Sequence, residues 1–251
     1  MIQPRPVATG DQRPQHPRRR WLFRIWGCAA AIGLVLPALA DESSVILACE
    51  QADNRVIVLN PEVEWTSDEA ILWEWKAVED PAVREEDRPW VRNPTDAKLA
   101  DGGVLLSVAT GGGGPGGVAV ISIERRAVLG YAQAGDSPHS VLALPDGWIL
   151  TASSDDDLLR LFAPVRDGKL TAKQDLELQD AHGLVWDAGR QCVWALGGKC
   201  MKRLAFEAGK PVLRVTDVID LPVTERSRRH ERHGGHDIAW DSDGERLLLS
   251  D

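Results

Sequence analysis

Three segments of this chain carry one pattern, and a chain that repeats a unit buries each copy against its neighbours. They are PHSVLALPDGWILTASSDDDLLRLFA from Pro138, AHGLVWDAGRQCVWALGGKCMKRLAF from Ala181, and GHDIAWDSDGERLLLSD from Gly235. In each, a histidine opens a short apolar strand, an Asp/Gly turn follows, and a second apolar strand ends in small residues. His139 and His182 stand 43 residues apart, and His182 and His236 stand 54 apart. That spacing suits a four-stranded sheet repeated about an axis.

Weaker copies lie upstream. DAKLADGGVLLSVATGG followed by GVAVISIERR supplies a strand, a glycine turn and two further strands from Asp96, and VILACEQADNRVIVLN with AILWEWKAV supplies three more. With the strands of a repeat lettered A to D from the inside outward, the chain offers B, C and D of a first blade, three full blades, and A and B of a fifth, seventeen strands in all. A sandwich would use many short strands without repeating one unit. The pattern therefore predicts an all-β fold, a β-propeller of four-stranded blades, incomplete in this chain: about four to five blades of a six- or seven-bladed ring. The 23 glycines, 15 prolines and 10 tryptophans punctuate the sequence too often for long helices. Because Asp251 falls where strand C should follow, the expectation is a fragment or truncated reading frame.

The domains expected are a signal peptide over 1–40 and a partial propeller over 41–251. Pro17 to Arg20 form a basic head, Ile25 to Ala40 are uncharged, and Ala38-Leu39-Ala40 is a small-residue cleavage pattern. The apolar stretch is short for a bilayer span of about 20 residues, so a retained anchor is the weaker alternative. Arg19-Arg20-Trp21-Leu22-Phe23 partly resembles a twin-arginine signal. The predicted location is exported, periplasmic or extracellular, with no membrane association after cleavage.

Charge narrows the partners. The chain has 29 Lys and Arg against 38 Asp and Glu, but residues 1–40 hold six of the arginines and a single aspartate, leaving the body at −14. Such a body repels phosphate backbones and anionic headgroups, which disfavours nucleic acid and membranes as partners. A small molecule, a glycan or a protein remains.

The Pro138 segment resembles WD40 and NHL repeats through its DG turn and the strand pair around it. His139 adjoins the strand itself, seven residues before Asp146, which is closer to NHL-type repeats and to propeller lyases that hold a metal with histidines at this place. NPTDAKL, SPHS, DAHG and GGHD together resemble a family of uncharacterised exported bacterial propellers across residues 45 to 251. That family implies the fold and implies no activity.

Strand A is innermost, so His139, His182 and His236 should converge at one mouth of the channel. They are the candidate ligand-binding and metal residues. Three imidazoles with an open fourth position suit zinc or another divalent cation, and Asp136, Asp180 and Asp237 could orient them. A repeated polar residue could equally bond the neighbouring blade's backbone. Asp96 and Lys98 are the second blade's ligand-binding candidates. The B–C turns should share the histidine face, and among them Glu50 is the candidate catalytic acid or base, the alternative being a solvated turn carboxylate. Whether the chain is an enzyme stays open between two readings: a module that recognises a small molecule, glycan or protein, and a metal-dependent lyase or hydrolase.

GGGGPGG lacks the GK[ST] ending of a phosphate loop and reads as a hairpin. Glu79 to Pro94 reads as an exposed acidic connection. Arg226, Arg228, Arg229 and Arg232, with His230 and His233, form a basic insertion before His236 suited to an anionic ligand such as a uronate, or simply solvated. Cys192 and Cys200 flank Gly197-Gly198 and could either face each other as a disulfide or be buried hydrophobes. Cys49 reads as core.

Overall fold

The computed structural model describes residues 45–250 except 101, 111–114, 208 and 223–233. The leader over 1–40, Gly111 to Gly114 and the basic insertion lie outside the described residues. Among those described there are seventeen strands and four short 3-10 turns.

The first blade has β1 (Ile46–Glu50), β2 (Arg55–Leu59) and β3 (Ile71–Lys76) in antiparallel order. The second has β4 (Pro94–Ala100), β5 (Val104–Ala109), β6 (Pro115–Ser122) and β7 (Ala127–Asp136), and the third has β8 (Pro138–Ala143), β9 (Ile149–Ser153), β10 (Leu158–Arg166) and β11 (Lys169–Glu177). One parallel bridge, Lys169 to Tyr131, links the outer strands of these two blades into a continuous eight-stranded sheet. The fourth blade is β12 (Gly183–Asp187), β13 (Cys192–Leu196), β14 (Cys200–Glu207) and β15 (Lys210–Asp220), and β16 (Asp237–Trp240) pairs with β17 (Leu247–Ser250). This is the sequential, all-β blade order that the repeat predicts.

The core lies between blades rather than within one. Leu105 packs toward the first blade with Trp73 and Trp75, whereas its neighbour Leu106 packs toward the third with Ile149 and Phe162. The same alternation splits Ile149 from Leu150, which joins Leu184, Val193 and Leu204 of the fourth blade. Strands buried on both faces exclude charge; ILTAS over Ile149–Ser153 is buried at every position, and its Ser153 hydroxyl donates to the Ala134 carbonyl at 3.0 Å.

The connection from Glu79 to Pro94 is not simply exposed. Within it Val83 and Val91 enter the core between the first two blades, and Asp80 and Asp87 are buried. Asp80 Oδ2 accepts from Trp75 Nε1 at 2.9 Å and from the backbone N–H of Val128 at 2.8 Å, and Asp87 Oδ2 accepts from Tyr131 Oη at 2.7 Å. Acidic composition suggested solvent, but each carboxylate is satisfied by a donor on an adjacent strand.

The cysteine expectation resolves against a bridge. Cys192 opposes Ala205, and Cys200 lies beyond the Leu196–Met201 pair at the other end of the hairpin. Five residues of strand separate Cys200 from Ala205, an offset of roughly 16 Å, and all three described cysteines are free thiols. The Gly197-Gly198 turn is asymmetric about the two residues, so flanking the turn did not mean facing across it.

Candidate functional site

The local backbone explains where the histidines point. Asn93, Ser137 and Asp180 each take a left-handed conformation, with φ of 54°, 50° and 53°. Each stands two residues before Thr95, His139 or His182 respectively. Asn and Asp tolerate this region best among residues with a side chain, and at each place the chain turns sharply into strand A. The B–C turns hold these corners: Asn54 Oδ1 accepts from Asn93 N at 2.9 Å, and Asp157 Oδ1 accepts from Asp180 N at 2.7 Å. The ladder then slips between Pro138 and Ser140, and likewise between Pro94 and Asp96, making His139 and Thr95 the extra residues of two bulges. A bulge re-aims a side chain without breaking the strand.

The three histidines meet. Ring centroids are 4.5 Å apart for His139 and His182, 4.6 Å for His182 and His236, and 5.9 Å for His139 and His236. Gly183 permits the approach of the fourth and fifth blades, since a Cβ there would lie 2.7 Å from Ile238 Cγ2 and 2.9 Å from its backbone N. His182 is well buried, with 11% of its side chain exposed, and His236 is exposed.

The rings have different partners. His182 Nδ1 lies 2.9 Å from the carbonyl oxygen of Asp180, and a carbonyl only accepts, so Nδ1 carries the proton and neutral His182 offers a lone pair at Nε2. The Asp180 carboxylate stands 3.4 Å from the same Nδ1. Burial pushes the His139 pKa below its ordinary 6.5, and repulsion from His182 and His236 adds to this against the weaker pull of Asp155 and Asp180. Near neutral pH the pocket therefore presents neutral imidazole at His139. Asp136 and Asp237 do not hydrogen-bond a histidine among the described residues; the Asp237 carboxylate accepts from Ile238 N at 2.8 Å.

Asp96 and Lys98 form a clasp across three inner strands. Lys98 Nζ donates to Asp96 Oδ2 and to Ser140 Oγ, both at 2.9 Å, and approaches the Leu184 carbonyl at 3.4 Å. Asp96 Oδ2 also accepts from Ser140 Oγ at 3.1 Å and Val141 N at 3.0 Å. Ser140 adjoins His139 and Leu184 is two residues past His182, so the clasp ties together the strands that carry both rings.

Glu50 sits on the B–C turn of the first blade, where its carboxylate accepts from Ala52 N at 2.8 Å, Asp53 N at 3.1 Å and Arg55 Nε at 3.0 Å. Desolvation works to raise its pKa, but the hydrogen bonds from Arg55, Asp53 and Ala52 outweigh it and hold the group below the ordinary carboxylate value. So engaged, it is a weaker base than a free carboxylate. Thr95 and Ser140 escaped sequence reasoning. Aligning NPTDAKLA with SPHSVLAL places Thr95 where the third blade has His139, but a search keyed on histidine passes over it. Thr95 Oγ1 donates to the Pro138 carbonyl at 2.7 Å.

A metal bound by three imidazoles at about 2.0–2.1 Å, tetrahedrally arranged, would hold the ring centroids about 5 Å apart, and the observed separations bracket that value. As the side chains lie, no set of three or more His, Cys, Asp or Glu among the described residues is arranged to hold a metal, although the ring centroids are close enough.

The profile of the Family of unknown function (DUF6528) matches residues 37–208. The chain belongs to that family. No curated protein sequence matches it significantly. A functionally unknown protein from Desulfotomaculum acetoxidans superimposes with a TM-score of 0.60 at 11% identity, over 82% of this chain and 59% of that one. Kuenenia stuttgartiensis hydrazine synthase gives 0.58 at 14% identity, over 82% and 52%, and a chain of the mitotic checkpoint complex gives 0.58 at 9%, over 82% and 55%. The chain thus spans between about half and three-fifths of the length of these structures. Such low identity shows the fold alone, which is propeller-like in this DUF6528 member and in its neighbours.

Proposed function

We propose that this DUF6528 protein is an exported propeller of WD40-like and NHL-like repeats that recognises a small molecule, a glycan or a protein through the histidine-bearing face of its channel. The observation that carries the reading is the convergence of His139, His182 and His236 from three separate blades. A purely structural histidine needs only its own backbone partner, whereas these three share one space. Imidazole rings offer both donors and acceptors, which suits hydroxyls and amides, and the acidic body disfavours anionic macromolecules. Export rests on the leader pattern over 1–40.

The experiment is a titration of the full chain, followed through the histidine Cε1–H resonances, with uncharged oligosaccharides, free amino acids and short peptides. Binding at this face moves the resonances of His139, His182 and His236 together and is lost in His182→Ala. Ligands that bind while leaving all three unmoved would overturn the reading.

A second reading, a metal-dependent lyase or hydrolase, draws support from the centroid spacing and from the lone pair at His182 Nε2. Zinc or another divalent cation would be held by His139, His182 and His236 after small ring rotations, and would polarise a bound oxygen. Glu50 is the proton-transfer candidate of this reading, though its hydrogen bonds would first have to be released. Dialysis against zinc chloride followed by metal analysis separates the readings: one equivalent of zinc, lost in His182→Ala, supports the metal, and metal-free protein supports recognition alone.

A further inference from the structure

Strand A runs from the histidine mouth to the opposite face of the sheet ring, and there the blades leave a second opening. A groove of about 740 Å³ lies between the second and third blades and reaches Trp186 of the fourth. Its walls include Val104, Leu129, Val165, Trp148 and Trp186, each only partly buried. Volumes of roughly 300–1,000 Å³ are those of small-molecule sites, which are mostly apolar with a few placed polar groups. Among the described lining residues, Asp146 is the single charged side chain. It stands exposed on the DG turn, at φ 59°.

We infer that this groove binds a small soluble amphipathic cation, with an apolar body lying against Trp148 and Trp186 and an ammonium-type charge meeting Asp146. Three observations choose this occupant. The walls offer apolar and aromatic surface, which binds hydrocarbon and can also stabilise a cation over an indole face. The one charge present is negative, so an anionic head would meet repulsion and a neutral one would leave the carboxylate unmatched. The chain as a whole carries −9, which raises the local concentration of cations and depletes anions. Phe206 packs against both tryptophans, at 6.4 Å between ring centroids in each case, so these walls are held in place from behind.

The test titrates the full chain with octyltrimethylammonium, octyl sulfate and octanol, read by tryptophan fluorescence and calorimetry. The cation saturates one site and binds roughly tenfold or more tighter than the sulfate, and tighter than octanol. Asp146→Asn, which keeps a residue at ease in the left-handed region, weakens the cation roughly three- to tenfold and leaves octanol unchanged. Trp148→Leu weakens both, and His182→Ala on the other face changes none of them. The inference is overturned if the sulfate or octanol binds as tightly as the cation, if Asp146→Asn has no effect on the cation, or if no saturable binding occurs.

Discussion

His182 Nδ1 and the backbone carbonyl of Asp180 are 2.9 Å apart, and this contact fixes the chemistry of the histidine mouth. The contact comes from the left-handed Asp180, held by Asp157, which turns its carbonyl toward the ring two residues on. Long-range proton–nitrogen correlation at neutral pH should find His182 protonated at Nδ1. An Nε2–H tautomer would mean the carbonyl contact does not exist in solution.

The clasp between the inner strands carries a stability prediction. Asp96 accepts from a lysine, a hydroxyl and a backbone N–H, and Ser140 beneath it is 3% exposed. Asp96→Ala leaves those donors short of a partner and should cost about 1–3 kcal/mol in urea unfolding. Lys98→Met should cost less, since Lys98 is about one-third exposed and its ion pair is screened. Equal stability of wild type and Asp96→Ala would show that the clasp contributes nothing.

Asp187 gives a pH prediction with a definite sign. Its side chain is 4% exposed and accepts from Arg190 N at 2.9 Å, Arg190 Nη1 at 2.8 Å and Trp194 Nε1 at 3.2 Å. Desolvation opposes ionisation, but these hydrogen bonds prevail and the pKa lies below its ordinary 3.8. A lowered carboxylate pKa supplies stability that is full above the unfolded value and lost as pH falls through the folded one. Asp187→Asn should therefore flatten the loss of stability on acidification below about pH 4; an unchanged acid limb contradicts the assignment.

Three free thiols are expected from the described cysteines. Burial, reinforced by the Asp96 carboxylate, pushes Cys49 up to about 12, and burial also raises Cys192. Thiol titration of unreduced, denatured protein should count Cys49, Cys192 and Cys200 together, with slow reaction at Cys49 in the folded state. A disulfide between Cys192 and Cys200 would require a register other than Cys192 opposite Ala205.

The architecture was readable because the DG turn and its two apolar strands recur, and a two-sided core keeps charge out of runs such as ILTAS. The meeting of the histidines was readable too, since the register of strand A is common to three blades. Thr95 was not, because a repeat tolerates a different side chain at the same backbone position. The bulges at Thr95 and His139, which aim those side chains, depend on one-residue slips that no periodicity displays. The buried Asp80 and Asp87 were missed for a related reason: composition reports polarity, whereas burial depends on whether Trp75 and Tyr131 come near enough to pair.

The shared histidine pocket is tested most directly by following His139 Cε1–H against pH in the wild type and in His182→Ala. Burial together with the two neighbouring imidazoles should place the wild-type midpoint below 6.5, and removing one neighbour and opening the site should move it upward. A wild-type midpoint at or above 6.5 that His182→Ala leaves in place would show that the rings do not share one space.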